Sequence, residues 1–146
     1  MILSPIEPDD FKIWQDMRKA LYQSCDEDFL EDELIKINQR SDWFCYLIKD
    51  VYGEMIGMVE LSSRNVVDGC LSSPVAYLEG LYLLPEYRAK GIGRQVIQLV
   101  LQWSKSNGFS ELATDTELTN TKAQKFYSML GFEEVDRVVE YRIQVK

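Results

Sequence analysis

The stretch from Val75 to Thr114 constrains the fold more tightly than any other part of the chain. An apolar run from Val75 to Leu84 is closed by Pro85, and a proline cannot continue a central strand. After a tight turn, Ile92, Val96, Val100 and Trp103 recur on one helical face, and Asn107-Gly108 supplies a stop. Phe109 to Thr114 then reads as a short strand. Strand, helix and strand in that order require a crossover, so the two strands should lie parallel with a right-handed connection.

The flanking sequence adds antiparallel partners. Ile2 to Ile6 reads as a first strand, and Phe11, Trp14, Met17 and Leu21 recur at helical spacing after Asp9 and Asp10. Leu30, Leu34 and Ile37 mark a second helix. Trp43–Ile48 and Met55–Leu61, separated by a Tyr52-Gly53 turn, read as a hairpin. Ser62 to Pro74 is polar and reads as a loop with room to border a site. Ala123, Phe126, Tyr127 and Leu130 form another helical stripe ended by Gly131, and Val135 to Val145 reads as a long last strand. The expectation is a mixed α/β sheet with helices on its faces, in the order β-α-α-β-β-β-α-β-α-β(-β). No repeat, linker or low-complexity tract divides it, so residues 1–146 are expected to form one domain.

Composition removes several classes of chemistry. The chain has no histidine, which excludes Ser-His-Asp and Cys-His catalysis and HExxH metal sites. Proton transfer falls to Asp, Glu, Tyr, Lys, Cys or water. Cys25, Cys45 and Cys70 include no CxxC pair, and neither a disulfide framework nor a zinc site is expected. A net charge of −8 argues against nucleic-acid binding, which needs a basic field. No apolar run approaches the ~20 residues of a spanning helix, and the N-terminus lacks the pattern of a signal peptide. No membrane association is expected, and the cytoplasm is the default compartment. Asp26-Glu27-Asp28-Phe29-Leu30-Glu31-Asp32-Glu33 is dense in carboxylates. Such a block is either a solvated face or an aid in drawing in a cationic substrate.

The turn after Pro85 carries the chemistry. Arg88-Ala89-Lys90-Gly91-Ile92-Gly93-Arg94 joins a strand to a helix start. Free N–H groups and the helix dipole make such a position an anion site. Gly91 and Gly93 would let the backbone approach a pyrophosphate, and Arg88, Lys90 and Arg94 would add positive charge. No GxxxxGK[ST] loop is present, and Val96 stands where a dinucleotide fingerprint needs its third glycine. The hexapeptide from Arg88 to Gly93 does fit [Q/R]-x-x-G-x-[G/A]. Downstream, Asn120 to Phe132 fits N-x-x-A-x-x-x-Y-x-x-x-G-F.

With these two motifs the chain resembles the GNAT superfamily of N-acetyltransferases over nearly its whole length. The resemblance implies a mostly antiparallel central sheet with one splayed parallel strand pair, about four helices, and acetyl-coenzyme A as donor. It implies that Leu81, Tyr82 and Leu83 line the pantetheine arm. Arg88, Ala89, Lys90, Gly91, Ile92, Gly93 and Arg94 would hold the pyrophosphate. Asn120 would bond the cofactor, and Tyr127 would be the general acid for the departing thiolate. The residues alone also allow Tyr127 as a core tyrosine and Asn120 as a helix cap.

Within the superfamily, Ser72 to Pro85 is similar to the SSPVxxLEGxxVLP segment of aminoglycoside 6′-N-acetyltransferases. That resemblance carries the acceptor-facing carboxylates onto Glu79 and Asp115, as catalytic and substrate-binding groups, with Tyr22 and Tyr77 beside them. Tyr22 stands where a tryptophan is expected, Val66 replaces an aromatic residue, and the histidine usual at the Tyr127 position is absent. Independently, a carboxylate inside an apolar strand needs a partner, whether an ion pair or a substrate ammonium whose proton it accepts. The expected reaction is direct attack of an amine on the thioester in a ternary complex. The acceptor would be an aminoglycoside 6′-amine or, alternatively, a polyamine, amino-acid derivative or protein amine. A non-catalytic coenzyme A sensor is a reading of another class. The family resemblance also implies a homodimer, with the last strand as an edge. No metal site is expected.

Overall fold

The structure, a computed structural model, describes residues 1–146. Strand β1 (Ile2–Pro5) leads through a single 3-10 turn, Pro8–Asp10, into helix α1 (Phe11–Leu21). Glu7 and Asp10 close this start reciprocally, the backbone N–H of Glu7 donating to Asp10 Oδ2 at 2.9 Å. Helix α2 (Glu27–Asn38) is capped by Asp26, whose carboxylate accepts from the Phe29 N–H at 3.1 Å. Glu27 and Asp28 in its first turn meet the positive end of the helix dipole. The first three carboxylates of the acidic block therefore stabilise the start of a helix.

Strands β2 (Trp43–Lys49), β3 (Met55–Arg64), β4 (Val75–Leu83) and β5 (Leu112–Thr114) complete one sheet in the spatial order β1-β2-β3-β4-β5. All neighbours are antiparallel except β4 and β5, which are parallel. Helix α3 (Ile92–Ser106) is the crossover between them, and α4 (Thr121–Met129) follows β5. The mixed sheet and four helices agree with the expected fold class.

The helices divide between the two faces. Trp14 and Met17 of α1 and Leu34 and Ile37 of α2 pack on Leu47 and Met58. Val96, Ile97 and Val100 of α3 pack on Ile48, Ile56, Val59, Leu61 and Leu78 of the opposite face. Burying an aliphatic side chain of this size contributes about 1.5–3 kcal/mol, so this apolar stripe anchors the helix whose N-terminus forms the turn.

Two irregularities in β4 shape the site. Leu61 pairs with Leu78 and Glu60 with Gly80, which leaves Glu79 as the extra residue of a β-bulge. Bulges bend a strand and re-aim its side chains. In addition, β5 pairs only with Ala76–Leu78. Beyond that point β4 has no neighbour on its β5 side, and the parallel pair opens.

The long strand expected over Val135–Val145 does not form. Residues 133–146 carry no regular structure and lie exposed, Tyr141 at 91%. β-branched composition makes a strand only where an edge is available to pair with, and β5 is only three residues long.

Candidate functional site

The turn after β4 has the geometry of an anion cradle. A second 3-10 turn, Pro85–Tyr87, ends the strand, and Ala89 and Gly91 take left-handed backbones at φ 58° and 79°. A side chain costs little at Gly91 in space, since nothing lies within 4 Å, but it would strain this φ. No backbone or side-chain acceptor takes the N–H groups of residues 89 to 94, as is usual where a helix begins. Those donors, at the positive end of α3, suit the pyrophosphate of a coenzyme A derivative.

Residues of the turn also make contacts within the protein. Arg88 folds back: its Nε donates to the Leu83 carbonyl at 2.9 Å and its guanidinium lies 5.0 Å from the Tyr82 ring centre. This contact fastens the turn to the strand. At Gly93 an added Cβ would meet the Phe126 ring at 3.2 Å, so that glycine serves close packing of α3 on α4. Leu81, Tyr82 and Leu83 lie on the open stretch of β4, where their backbone is free on the β5 side. Asn120 caps α4, its Oδ1 accepting from the Ala123 N–H at 3.1 Å.

Tyr127 sits on α4 with its ring edge-on to Phe126 and Phe132, centroids 5.3 and 5.2 Å away. Burial pushes its phenol above the ordinary tyrosine value, the Thr114 side chain works against that rise, and the Asp115 charge adds to it.

A polar belt crosses the sheet face under α1. At its centre is Glu60 of β3, fully buried. Trp14 Nε1 donates to it at 2.7 Å, Arg18 Nη1 donates to both its oxygens (2.6 Å to Oε1), and the Tyr22 hydroxyl donates to Oε1 at 3.1 Å. Arg18 also pairs with Glu33 of α2. Burial, followed by the neighbouring Glu60 charge, raises the Tyr22 phenol. The same hydroxyl reaches the Glu79 carbonyl at 3.5 Å, so Tyr22 ties the buried cluster to the bulge.

At the other end of the belt, Ser62 Oγ donates to Glu79 Oε1 at 2.6 Å. Arg64 Nε and Nη2 donate to Glu79 Oε1 and Oε2, each at 2.9 Å. The Arg64 guanidinium lies 3.5 Å from the Tyr77 ring centre, and the Tyr77 hydroxyl donates to Asp115 Oδ2. Tyr22, Tyr77, Glu79 and Asp115 thus share one belt, and Glu79 has the ion pair that the sequence left as one alternative. The sequence reading missed Glu60, Arg18, Ser62 and Arg64. A signal was available for Glu60, which interrupts the apolar run Met55–Leu61 just as Glu79 interrupts β4. No cluster of three or more metal-ligating side chains is present.

A strand that opens beside a turn rich in free backbone N–H groups, with the half-buried Tyr127 on the helix that follows the next strand, is an arrangement suited to acyl transfer. The chain belongs to the Acetyltransferase (GNAT) family, whose profile matches residues 11–132. It is 38% identical over 130 residues to the aminoglycoside N(6′)-acetyltransferase type 1 of Salmonella typhimurium, covering 88% of this chain and 89% of that protein. The Serratia marcescens protein of the same name is 35% identical over 135 residues, 92% of each. Among solved structures, the AAC(6′)-Iy complex with the bisubstrate analogue CoA-S-monomethyl-acetylneamine superposes with a TM-score of 0.85. That match has 33% identity and covers 99% of this chain and 98% of the other.

Proposed function

We propose that this protein is one acetyltransferase domain that moves the acetyl group of acetyl-coenzyme A to the 6′-amine of an aminoglycoside. The observation that carries this is the joint arrangement of an anion-binding turn at residues 88–94, an opened β4, and a carboxylate belt containing Glu79 and Asp115. Relatives named for this activity over nearly their full length support the acceptor.

Acetyl-coenzyme A supplies an activated thioester. The backbone N–H groups of residues 89–94 bind its pyrophosphate with Lys90 and Arg94 nearby, while the open edge of β4 at Leu81–Leu83 receives the pantetheine arm. Asn120 holds that arm with the amide that its capping bond leaves free. Glu79 and Asp115 bind the acceptor's ammonium groups, and one takes up the proton that the reacting amine must lose, directly or through water. Tyr127 donates a proton to the departing sulfur. Tyr77 and Tyr22 shape the acceptor side. We read the protein as cytoplasmic, in keeping with its three free cysteine thiols. We also read it as a homodimer that covers the exposed Val138, Tyr141 and Ile143, which sedimentation should register as twice the chain mass.

The test is the position of the acetyl group. Kanamycin incubated with acetyl-coenzyme A should carry it on the 6′-nitrogen by NMR, and an analogue with a hydroxyl at that position should not be consumed. Tyr127→Phe should lower kcat about a hundredfold with little change in acetyl-coenzyme A affinity. Acetylation at another amine, or wild-type turnover by the variant, contradicts the corresponding part.

A further inference from the structure

The cation between Glu79 and Tyr77 belongs to the protein itself. Arg64 closes β3, and its side chain is 42% exposed against 14% for Glu79. Its guanidinium satisfies both oxygens of the Glu79 carboxylate while facing the Tyr77 ring at 3.5 Å. A carboxylate beside an aromatic face is the environment in which an organic cation is recognised.

We propose that Arg64 occupies an ammonium subsite of the acceptor and must swing out when the acceptor binds. The walls of this subsite do not depend on it. Ser62 holds Glu79 Oε1 at 2.6 Å, and Tyr77 is fixed by burial and by its bond to Asp115. Removal of the guanidinium therefore leaves a formed cage of Glu79, Tyr77 and Ser62 with an uncompensated negative charge. The chain beyond Arg64 is the loop preceding β4, and residues 64–66 are exposed, so the side chain has solvent to move into. Leaving the bidentate pair has a cost, and an incoming ammonium offsets it by replacing the lost charge beside Glu79 and Tyr77. The exchange raises the acceptor concentration needed and favours acceptors with a cation besides the reacting amine. This assignment rests on the proposed aminoglycoside acceptor.

The test has two parts. Ethylguanidinium should raise the Tm of Arg64→Ala but not of the wild type, and the rise should vanish in Arg64→Ala/Glu79→Gln. Ethylguanidinium that fails to distinguish Arg64→Ala from the wild type overturns the subsite whatever the acceptor is. In turnover, Arg64→Ala should lower the kanamycin KM by about three- to tenfold, leave the acetyl-coenzyme A KM unchanged, and become competitively inhibited by ethylguanidinium. Arg64→Lys, which still places a cation in the cage, should stay near the wild type. An unchanged or raised kanamycin KM in Arg64→Ala means that the arginine holds Glu79 in place instead. A wild type inert towards kanamycin would refute the acceptor, and the Tm comparison would still judge the cage.

Discussion

Burying a carboxylate in a sheet costs several kcal/mol unless its oxygens are bonded, and Glu60 meets that condition through Trp14, Arg18 and Tyr22. Its partners then depend on it. Glu60→Gln should cost about 3–5 kcal/mol in urea unfolding, because it leaves Arg18 buried beside a neutral amide. A loss below about 1 kcal/mol would mean that Glu33 alone suffices as counter-ion. Burial also holds the phenols of Tyr22, Tyr77 and Tyr127 above the ordinary value. Groups with raised folded values contribute stability that is complete below the unfolded value and is lost as pH rises beyond it. Unfolding free energy should therefore hold steady below the free tyrosine value of about 10 and fall as pH rises above it. Tyr22→Phe should flatten that fall; an equal slope would remove Tyr22 as a source.

At the scale of elements, the bulge in β4 turns Glu79 towards Ser62 and Arg64 while Gly80 faces α1. An added Cβ at Gly80 would come within 2.3 Å of the Tyr22 hydroxyl and 3.4 Å of Glu60 Oε1. Gly80→Ala should displace Tyr22 and raise the acceptor KM, with the acetyl-coenzyme A KM unchanged because the turn at residues 88–94 lies beyond the end of the strand. Equal changes in both constants would indicate that β4 moves as a whole. The parallel pair, the crossover helix and the tight turn before it were legible in the sequence, because Pro85, Gly91 and the stripe Ile92–Trp103 are local signals with fixed structural meaning. The bulge was not. It arises from the register between Glu60 and Gly80, which pairing across β3 and β4 decides and no local pattern encodes. The Glu60–Arg18 pair joins residues 42 positions apart and was hidden for the same reason. The last strand failed in the opposite way: Val135–Val145 has strand composition, but only the short β5 was there to pair with it.

Across the molecule, a net charge of −8 creates a field that attracts polycations and opposes the anionic donor. Along the belt, Glu33, Glu60, Glu79 and Asp115 outnumber Arg18 and Arg64. Raising ionic strength from about 0.01 M to about 0.15 M shortens the screening length from about 30 Å to about 8 Å. The KM for a polycationic acceptor should rise over that range, and the KM for acetyl-coenzyme A should fall or stay constant. Opposite trends would remove the field from the account. The central claim is tested most directly by thiol release from acetyl-coenzyme A with kanamycin or tobramycin, beside spermidine and a control without acceptor. The account predicts saturable turnover on the aminoglycosides, little on spermidine and none in the control. Turnover on spermidine with the aminoglycosides inert would contradict the acceptor assignment, and no turnover on any amine would contradict the reading of the protein as a catalyst.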